Sequence, residues 1–116
     1  MKHFLLAAAL MLALPAHAQQ IGKITEIANF SKHEITGPGA RAFLDNLLAG
    51  RVPKPGRLSL TPMLTPKGKL YGDLTVACLD EERFMLFGSG TAQEMHRRWI
   101  ESKLPAAGVT YRNRSD

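Results

Sequence analysis

An acidic residue lies in the middle of a predicted β-strand. The segment "KLYGDLTV", residues 69–76, alternates apolar and other residues, which is typical of a strand with one buried face. Strand alternation predicts that the even-numbered positions face the core and that Tyr71, Asp73 and Thr75 follow one another on the opposite face. Asp73 is therefore either a charge on a solvated strand face or a carboxylate that accepts a hydrogen bond from a ligand or binds a protonated amine. Gly72 beside it would let a neighbouring group approach the backbone closely.

A glycine-containing junction, "GSGTAQ" at residues 88–93, follows a predicted strand and opens a predicted helix. A dinucleotide fingerprint has that setting, but Gln93 stands at its third glycine position, and no βαβ unit with a distal acid follows. The sequence therefore predicts no nicotinamide or flavin site here. The glycines still allow close backbone approach, and a helix N-terminus favours an anion.

Metal and disulfide chemistry have little support in the sequence. Cys78 is the only cysteine, so an intrachain disulfide is excluded, and its strand setting predicts a small buried side chain. His33 and His96 are distant in sequence and lack neighbours at ligand spacing, so we expect no metal site. No serine–histidine–aspartate arrangement suggests a hydrolase.

The chain is basic, with 15 Lys and Arg against 10 Asp and Glu and a net charge of +5. The basic residues are scattered, and the densest groups are Arg97–Arg98 and Arg112 with Arg114. No aromatic residues are interleaved with them, so we predict no nucleic-acid partner. The hypothesis of a nucleic-acid binder rests on net charge alone. A mild excess of positive charge would still favour an anionic small molecule.

Residues 1–18 resemble a secretory signal peptide. Lys2 and His3 precede an apolar run, Phe4 to Leu14, and a small-x-small cleavage pattern, Ala16–Ala18, follows. The run is too short to span a bilayer, so we expect no membrane segment in the mature form. The alternative is an apolar first helix of the fold. A functional leader would make the mature protein periplasmic or secreted, and otherwise a cytoplasmic location is expected.

Periodicity and turn residues predict an α+β domain with two helices on one face of a mostly antiparallel sheet. The predicted strands are 24–27, 31–36, 58–64, 69–79, 83–90 and 109–115, and the predicted helices are 40–49 and 91–104. Pro62 predicts that strand 58–64 lies at an edge, whereas strand 83–90 is apolar on both faces and should be central.

Helix ends can also be predicted. Pro38 suits the first turn of the first helix, and Gly50 suits the position just after its end. Thr91 and Glu94 have the spacing of a capping box for the second helix. The helix periodicity turns these residues of the second helix inward: Ala92, Met95, Trp99 and Ile100.

Three stretches together resemble a known family: "NFSKHEITGPGARAFLDNLLAGRVPKPGR", "LTPMLTPKGKLYGDLTV" and "FMLFGSGTAQEMHRRWIESKLP". They are similar to the folate-binding, aminomethyltransferase-like domain of dimethylglycine and sarcosine dehydrogenases, which is related to the T-protein of the glycine cleavage system. The resemblance extends over about residues 21–116. It implies that residues 19–116 form the N-terminal part of such a folate-binding domain, and the segment around Lys69–Val76 resembles the dimethylglycine dehydrogenase branch most.

The resemblance implies that the domain binds tetrahydrofolate, which captures a one-carbon unit from an amine as methylenetetrahydrofolate. It places the catalytic, folate-binding acid of the family on Asp73. Tyr71 and Thr75 become neighbours in the pocket, and the segment Gly88–Ser89–Gly90 borders it. No metal is implied, and no flavin site is expected within this chain.

The sequence departs from the family at Leu60, where T-proteins often have an aromatic residue. Several folate contacts of the family would lie beyond Asp116, so a fragment or split gene product is expected, and whether it is an enzyme by itself stays open. The expected partners are folate and either a flavin-dehydrogenase chain or the missing remainder of the domain. The alternative hypothesis is an exported, non-enzymatic interaction domain that retains only the fold.

Overall fold

The computed structural model describes residues 29–115. The predicted leader at 1–18 and the predicted strand at 24–27 lie outside the described residues. Within residues 29–115, no helix is long and apolar enough to cross a membrane.

The described chain forms five strands and two α-helices, as the predicted fold class requires. In chain order the elements are β1 (Ser31–Thr36), α1 (Ala40–Leu47), β2 (Leu58–Leu64), β3 (Leu70–Asp80), β4 (Arg83–Gly88), a short 3-10 helix (Gly90–Ala92), α2 (Gln93–Ser102) and β5 (Thr110–Asn113). All strand pairs are antiparallel, and the sheet order is β2-β3-β4-β1-β5. The predicted central position of β4 and edge position of β2 are both confirmed.

One hydrophobic core joins both helices to a single face of the sheet. Phe84 and Leu86 of β4 are fully buried beneath Leu44 of α1 and Ile100 of α2, and all four belong to one packed cluster. Fully burying a side chain of this size contributes about 1.5–3 kcal/mol, so the cluster is the main source of stability. We call this side of the sheet the helix face, and the other side the outer face.

The end of α1 differs from the prediction at Gly50. The helix ends at Leu47 because Leu48 takes an extended conformation, with φ −103° and ψ 144°. The next amide, of Ala49, donates a 2.9 Å hydrogen bond to the carbonyl of Pro62, which carries the chain to strand β2. Gly50 is therefore no helix cap: a Cβ there would collide with the side chain of Thr61.

The predicted capping box at the start of α2 is wrong. The N-cap residue is Ala92, and no side chain caps the helix. The Thr91 hydroxyl instead shares a 2.9 Å hydrogen bond with Ser89, and Glu94 accepts two hydrogen bonds from Arg97. The side chains have thus paired with each other rather than with the free amides of the first turn.

The inward face of α2 also differs in part from the prediction. Ile100 is fully buried and Trp99 is half-buried, but Met95 is 43% exposed. His96, which the sequence analysis left out of the core, takes the inward position and is almost completely buried.

The outer face has an apolar half and a charged half. On β2, Leu58 and Leu60 are 68% and 73% exposed, and their neighbours across β3 and β4 include Ala77 and Met85. On β1, Glu34 is 4% exposed between the guanidinium groups of Arg83 and Arg114, each 3.2 Å away. Burial alone would raise the pKa of Glu34, but hydrogen bonds and charge from Arg114 and Arg83 outweigh burial and lower it.

Replacing Thr61 by Val tests the connection between α1 and β2. Thr61 is fully buried, and its hydroxyl oxygen accepts a 2.8 Å hydrogen bond from the amide of Gly50. The nearly isosteric Thr61→Val removes the acceptor and should lower the free energy of unfolding by roughly 1–3 kcal/mol in urea titration.

The matched control is Thr75→Val on β3, where the described residues show no side-chain hydrogen bond from the threonine. It should change stability by no more than about 0.5 kcal/mol, the usual range for surface substitutions. Equal effects of the two substitutions would contradict the assigned role of Thr61.

Candidate functional site

Asp73 lies on the outer face, where no described helix covers it. It is exposed on β3, and its partner across the pair is Pro62 of the edge strand β2. Thr75, two residues further, is half-buried on the same face opposite Leu60. The carboxylate of Asp73 and the hydroxyl of Thr75 are thus accessible together to a ligand that approaches the uncovered side of the sheet.

Tyr71 does not share that face, which corrects the predicted row of three residues. Met63 of β2 pairs with Gly72 and Leu64 pairs with Leu70, so Tyr71 is an extra residue without a partner. Such a β-bulge breaks the simple alternation of side chains. The Tyr71 ring packs on the helix face, where it stacks on Trp99 with 4.5 Å between ring centroids and 26° between ring planes.

Leu70 differs from the prediction for the same reason. The alternation placed it on the core face, but it is 61% exposed beside the bulge. Beyond the bulge the predicted alternation holds, because Leu74, Val76 and Cys78 are all buried on the helix face.

The strand-to-helix junction at 88–90 also belongs to the helix side. Gly88 is buried, and a Cβ there would lie 2.8 Å from Leu74 Cδ2, 3.0 Å from Ser31 Oγ and 3.3 Å from His96 Nδ1. Gly90 packs against the carbonyl oxygen of Asn29 without space for a side chain. The junction is a site of close packing, as its glycines predict.

The six residues predicted for the site therefore divide between the two faces. The outer face presents Asp73 and Thr75. Tyr71 and Gly88 come together on the helix face around His96, whose ring centroid is 6.3 Å from that of Tyr71. Ser89 is exposed at the junction.

A buried histidine pair is the feature that the sequence analysis missed. The ring centroids of His33 and His96 are 6.4 Å apart, and both residues are at most 2% exposed. His33 Nδ1 and the hydroxyl of Tyr111 share a 2.7 Å hydrogen bond. Ser31 Oγ, His33 Nε2 and both ring nitrogens of His96 have no hydrogen-bond partner among the described residues.

A signal for His96 was present in the sequence. His96 and Ile100 are four residues apart, and Trp99 lies three after His96, which is the spacing of one helix face. The prediction turns Trp99 and Ile100 inward but omits His96, which is followed directly by the charged residues Arg97 and Arg98. The proximity of His33 had no such signal, because it depends on the pairing of β1 with β4.

Burial changes the acid–base properties of this cluster. Burial, with a smaller contribution from the nearby His96, lowers the pKa of His33 to about 4. Burial also lowers the pKa of His96. The nearby backbone of Tyr71 opposes this lowering in part, although it forms no hydrogen bond with the imidazole. The pKa of Tyr111 is raised to about 12, mainly by burial. Both histidines are therefore neutral at pH 7.

Cys78 is a free, buried thiol, as predicted. Its sulfur donates a 3.1 Å hydrogen bond to the carbonyl of Asp80 and accepts one from Arg41 at 3.5 Å. Burial raises the pKa of this thiol, which disfavours the reactive thiolate.

Among the described residues, no group of three or more His, Cys, Asp or Glu side chains is arranged to hold a metal ion.

A groove of about 600 Å³ lies on the helix side, away from Asp73. One wall comes from α1 and includes Ala42 and Asn46; the other comes from the end of α2 and includes Trp99 and Lys103. The turn after β2, at Thr65 and Pro66, also lines it. No sequence pattern indicates this groove, because it exists only where the helix ends meet the turn.

The fold is shared with an aminomethyltransferase. The crystal structure of glycine cleavage system aminomethyltransferase T from Bartonella henselae matches with a TM-score of 0.70 and 21% identity, over 75% of this chain and 25% of that one. The GCVT N-terminal domain family matches residues 16–116, and the chain belongs to this family.

Known relatives carry the same names that the sequence motifs suggested. Dimethylglycine dehydrogenase from Rattus norvegicus is 37% identical over 101 residues, which is 84% of this chain and 12% of that protein. Its Homo sapiens counterpart is 37% identical over 86 residues, 73% of this chain and 10% of that protein. An aminomethyltransferase of Xylella fastidiosa is 28% identical over 103 residues, 86% of this chain and 28% of that protein. The chain thus spans a small part of these relatives.

Substitution of Gly72 tests the contact between β3 and α2. A Cβ at Gly72 would collide with His96 Nε2, so Gly72→Ala forces the imidazole to move and should cost roughly 1–3 kcal/mol of stability. Chemical denaturation of Gly72→Ala, His96→Ala and the double variant measures the coupling. The double variant should lose at least about 0.5 kcal/mol less than the sum of the two single losses, and simple additivity would contradict the contact.

The histidine pair also predicts a pH-dependent stability. The folded pKa of His33, about 4, lies below its ordinary value of 6.5, so the unfolded chain binds more protons between these pH values. Stability is therefore fully present above pH 6.5 and is lost as the pH falls toward 4. The loss from this one residue between pH 7 and pH 5 should be on the order of 1–2 kcal/mol.

Urea titration at pH 7 and pH 5 measures this loss, and His33→Gln should reduce the difference between the two values. The part due to His96, whose pKa is also lowered, should remain in that variant. An unchanged pH dependence in His33→Gln would show that His33 is not the titrating group.

Proposed function

We propose that this domain binds tetrahydrofolate as a module of a dimethylglycine dehydrogenase-like enzyme in one-carbon metabolism and glycine-betaine catabolism. In this proposal the folate captures a one-carbon unit from an amine as methylenetetrahydrofolate. One observation carries it: a chain of the GCVT N-terminal domain family has an exposed carboxylate, Asp73, on the open face of β3.

The proposed role of Asp73 follows from its surroundings. A carboxylate accepts hydrogen bonds, so it can hold the N–H groups of the pterin and of the neighbouring amine nitrogen, and it stabilises positive charge that develops on that nitrogen. Thr75 offers a hydroxyl on the same face, and Leu60 opposite it offers apolar surface to a planar ring. The folate would therefore lie across β2 and β3.

The remaining predicted residues take an indirect part in this proposal. Tyr71 and Gly88 lie on the opposite side of the sheet, where they pack close to His96. They would position β3 rather than contact the folate. Ser89 and Gly90 would act in the same way, by holding the start of α2.

We further propose that turnover needs protein groups besides residues 29–115. The chain corresponds to 12% of the rat dimethylglycine dehydrogenase and 28% of an aminomethyltransferase. The amine oxidation would belong to a flavin-dehydrogenase chain, and further folate contacts to the polypeptide that corresponds to the remainder of the relatives. A functional leader at residues 1–18 would direct the protein to the periplasm or the exterior; without one, a cytoplasmic location is proposed.

The second candidate is an exported interaction domain that retains the fold without the activity. The observation that favours it is the apolar half of the outer face, where Leu58 and Leu60 are 68% and 73% exposed. Exposed apolar patches often mark contact surfaces for other proteins.

A calorimetric titration of the full chain with tetrahydrofolate tests the proposal. Asp73→Asn keeps the side-chain size and removes the charge, and it should weaken binding by roughly 1–3 kcal/mol because the N–H donors of the ligand lose an anionic acceptor. Asp45→Asn, an exposed acid on α1, is the charge-matched control and should leave the affinity unchanged.

If the unmodified chain does not bind tetrahydrofolate, either alone or with its proposed partner, that result would favour the interaction domain. Equal affinities of Asp73→Asn and Asp45→Asn would remove Asp73 from the site.

A further inference from the structure

The groove on the helix side has the properties of a second ligand site, separate from Asp73. Its volume of about 600 Å³ is within the range of small-molecule pockets. Apolar side chains dominate the lining, and the polar groups are few: the Asn46 amide, the Thr65 hydroxyl and the Lys103 ammonium. That combination of an apolar surface with a few polar groups is typical of sites that orient a small molecule.

One face of Trp99 is prepared for stacking. Tyr71 covers one face of the indole at 4.5 Å between centroids, which fixes the ring. Lys103 Nζ lies over the indole at 4.7 Å from its centroid. Trp99 and Lys103 both line the groove. A planar aromatic group that displaces the lysine would stack on a ring that is already held in place, so little side-chain entropy is lost.

Lys103 determines the charge of the ligand. It is the only charged residue among those that line the groove, and it forms no salt bridge within residues 29–115. Because the ammonium sits on a flexible stem, it can leave the indole and pair with an anionic group at the rim. An acidic ligand would thus gain an ion pair while its ring replaces the cation over Trp99.

We infer that the groove between α1 and α2 binds a small planar aromatic carboxylate, which stacks on Trp99 and pairs with Lys103. Nothing in this inference depends on folate at Asp73. The ring occupies the space beside Ala42 and Phe43, and the carboxylate lies at the open rim.

Trp99 makes the site directly observable, because it is the only tryptophan in the chain and gives a single indole N–H resonance. Titration of the isotope-labelled full chain with 2-naphthoate should shift this resonance saturably, with a Kd below about 1 mM. 2-Naphthamide, which has the ring without the charge, should bind at least about fivefold more weakly.

Matched variants assign the contacts. Lys103→Gln should weaken naphthoate binding at least about fivefold, whereas Arg98→Gln, which removes a nearby charge on α2 outside the groove, should leave it within about twofold. Ala42→Phe fills the groove from an exposed position and should abolish the shift. The remaining amide resonances show directly whether each variant is folded.

Three outcomes would overturn the inference. They are an unmoved indole resonance at millimolar naphthoate, equal affinities for naphthoate and naphthamide, and equal affinities of Lys103→Gln and Arg98→Gln. Asp73→Asn should bind naphthoate like the unmodified chain, so failure at the folate site and failure at the groove are distinguished.

Discussion

The imidazole of His96 lies directly against the backbones of two adjacent strands, and the position of α2 depends on this contact. Gly72 of β3 and Gly88 of β4 leave room for the ring, and any side chain at either position would occupy part of the same space. Ile100, one turn further along α2, is fully buried in the core. Two consecutive turns of the helix are thereby fixed on the sheet, which in turn places Trp99 over Tyr71.

The two sides of the sheet carry different groups in different surroundings. On the helix face, burial keeps the histidines neutral, and the polar groups are enclosed by the core. On the outer face, Asp73 remains in contact with solvent, and Glu34 is held as a carboxylate by the guanidinium groups beside it. Both faces nevertheless share strand β3, because Asp73 lies on the outer face and Tyr71, two residues before it, lies on the helix face.

Local patterns predicted most of the fold. The alternation after Gly72 and the proline in β2 each determine a feature at their own position, and each was confirmed. The errors arose where a residue had two possible partners. Glu94 pairs with Arg97 rather than with a backbone amide, and Gly50 accommodates Thr61 rather than ending a helix.

The candidate site was less predictable than the fold for a related reason. Sequence alternation treats every residue of a strand as paired, so it could not reveal that Tyr71 lies in a bulge. The approach of His33 to His96, across 63 positions of the chain, and the groove between the helices depend on tertiary packing alone. Family resemblance predicted Asp73 as a site residue, but it carried no information on which face each neighbouring residue takes.

The bulge at Tyr71 restricts how this hairpin can vary in length. The turn between β2 and β3 is exposed and is closed by hydrogen bonds of its own, so an insertion at its tip, after Pro66, would preserve the pairing of the two strands. Deletion of the single bulged residue would restore regular pairing and leave Trp99 without the ring stacked on it, while Asp73 would keep its face. Length variation among natural or engineered homologues should therefore be found at the tip of the hairpin and not within the first three residues of β3.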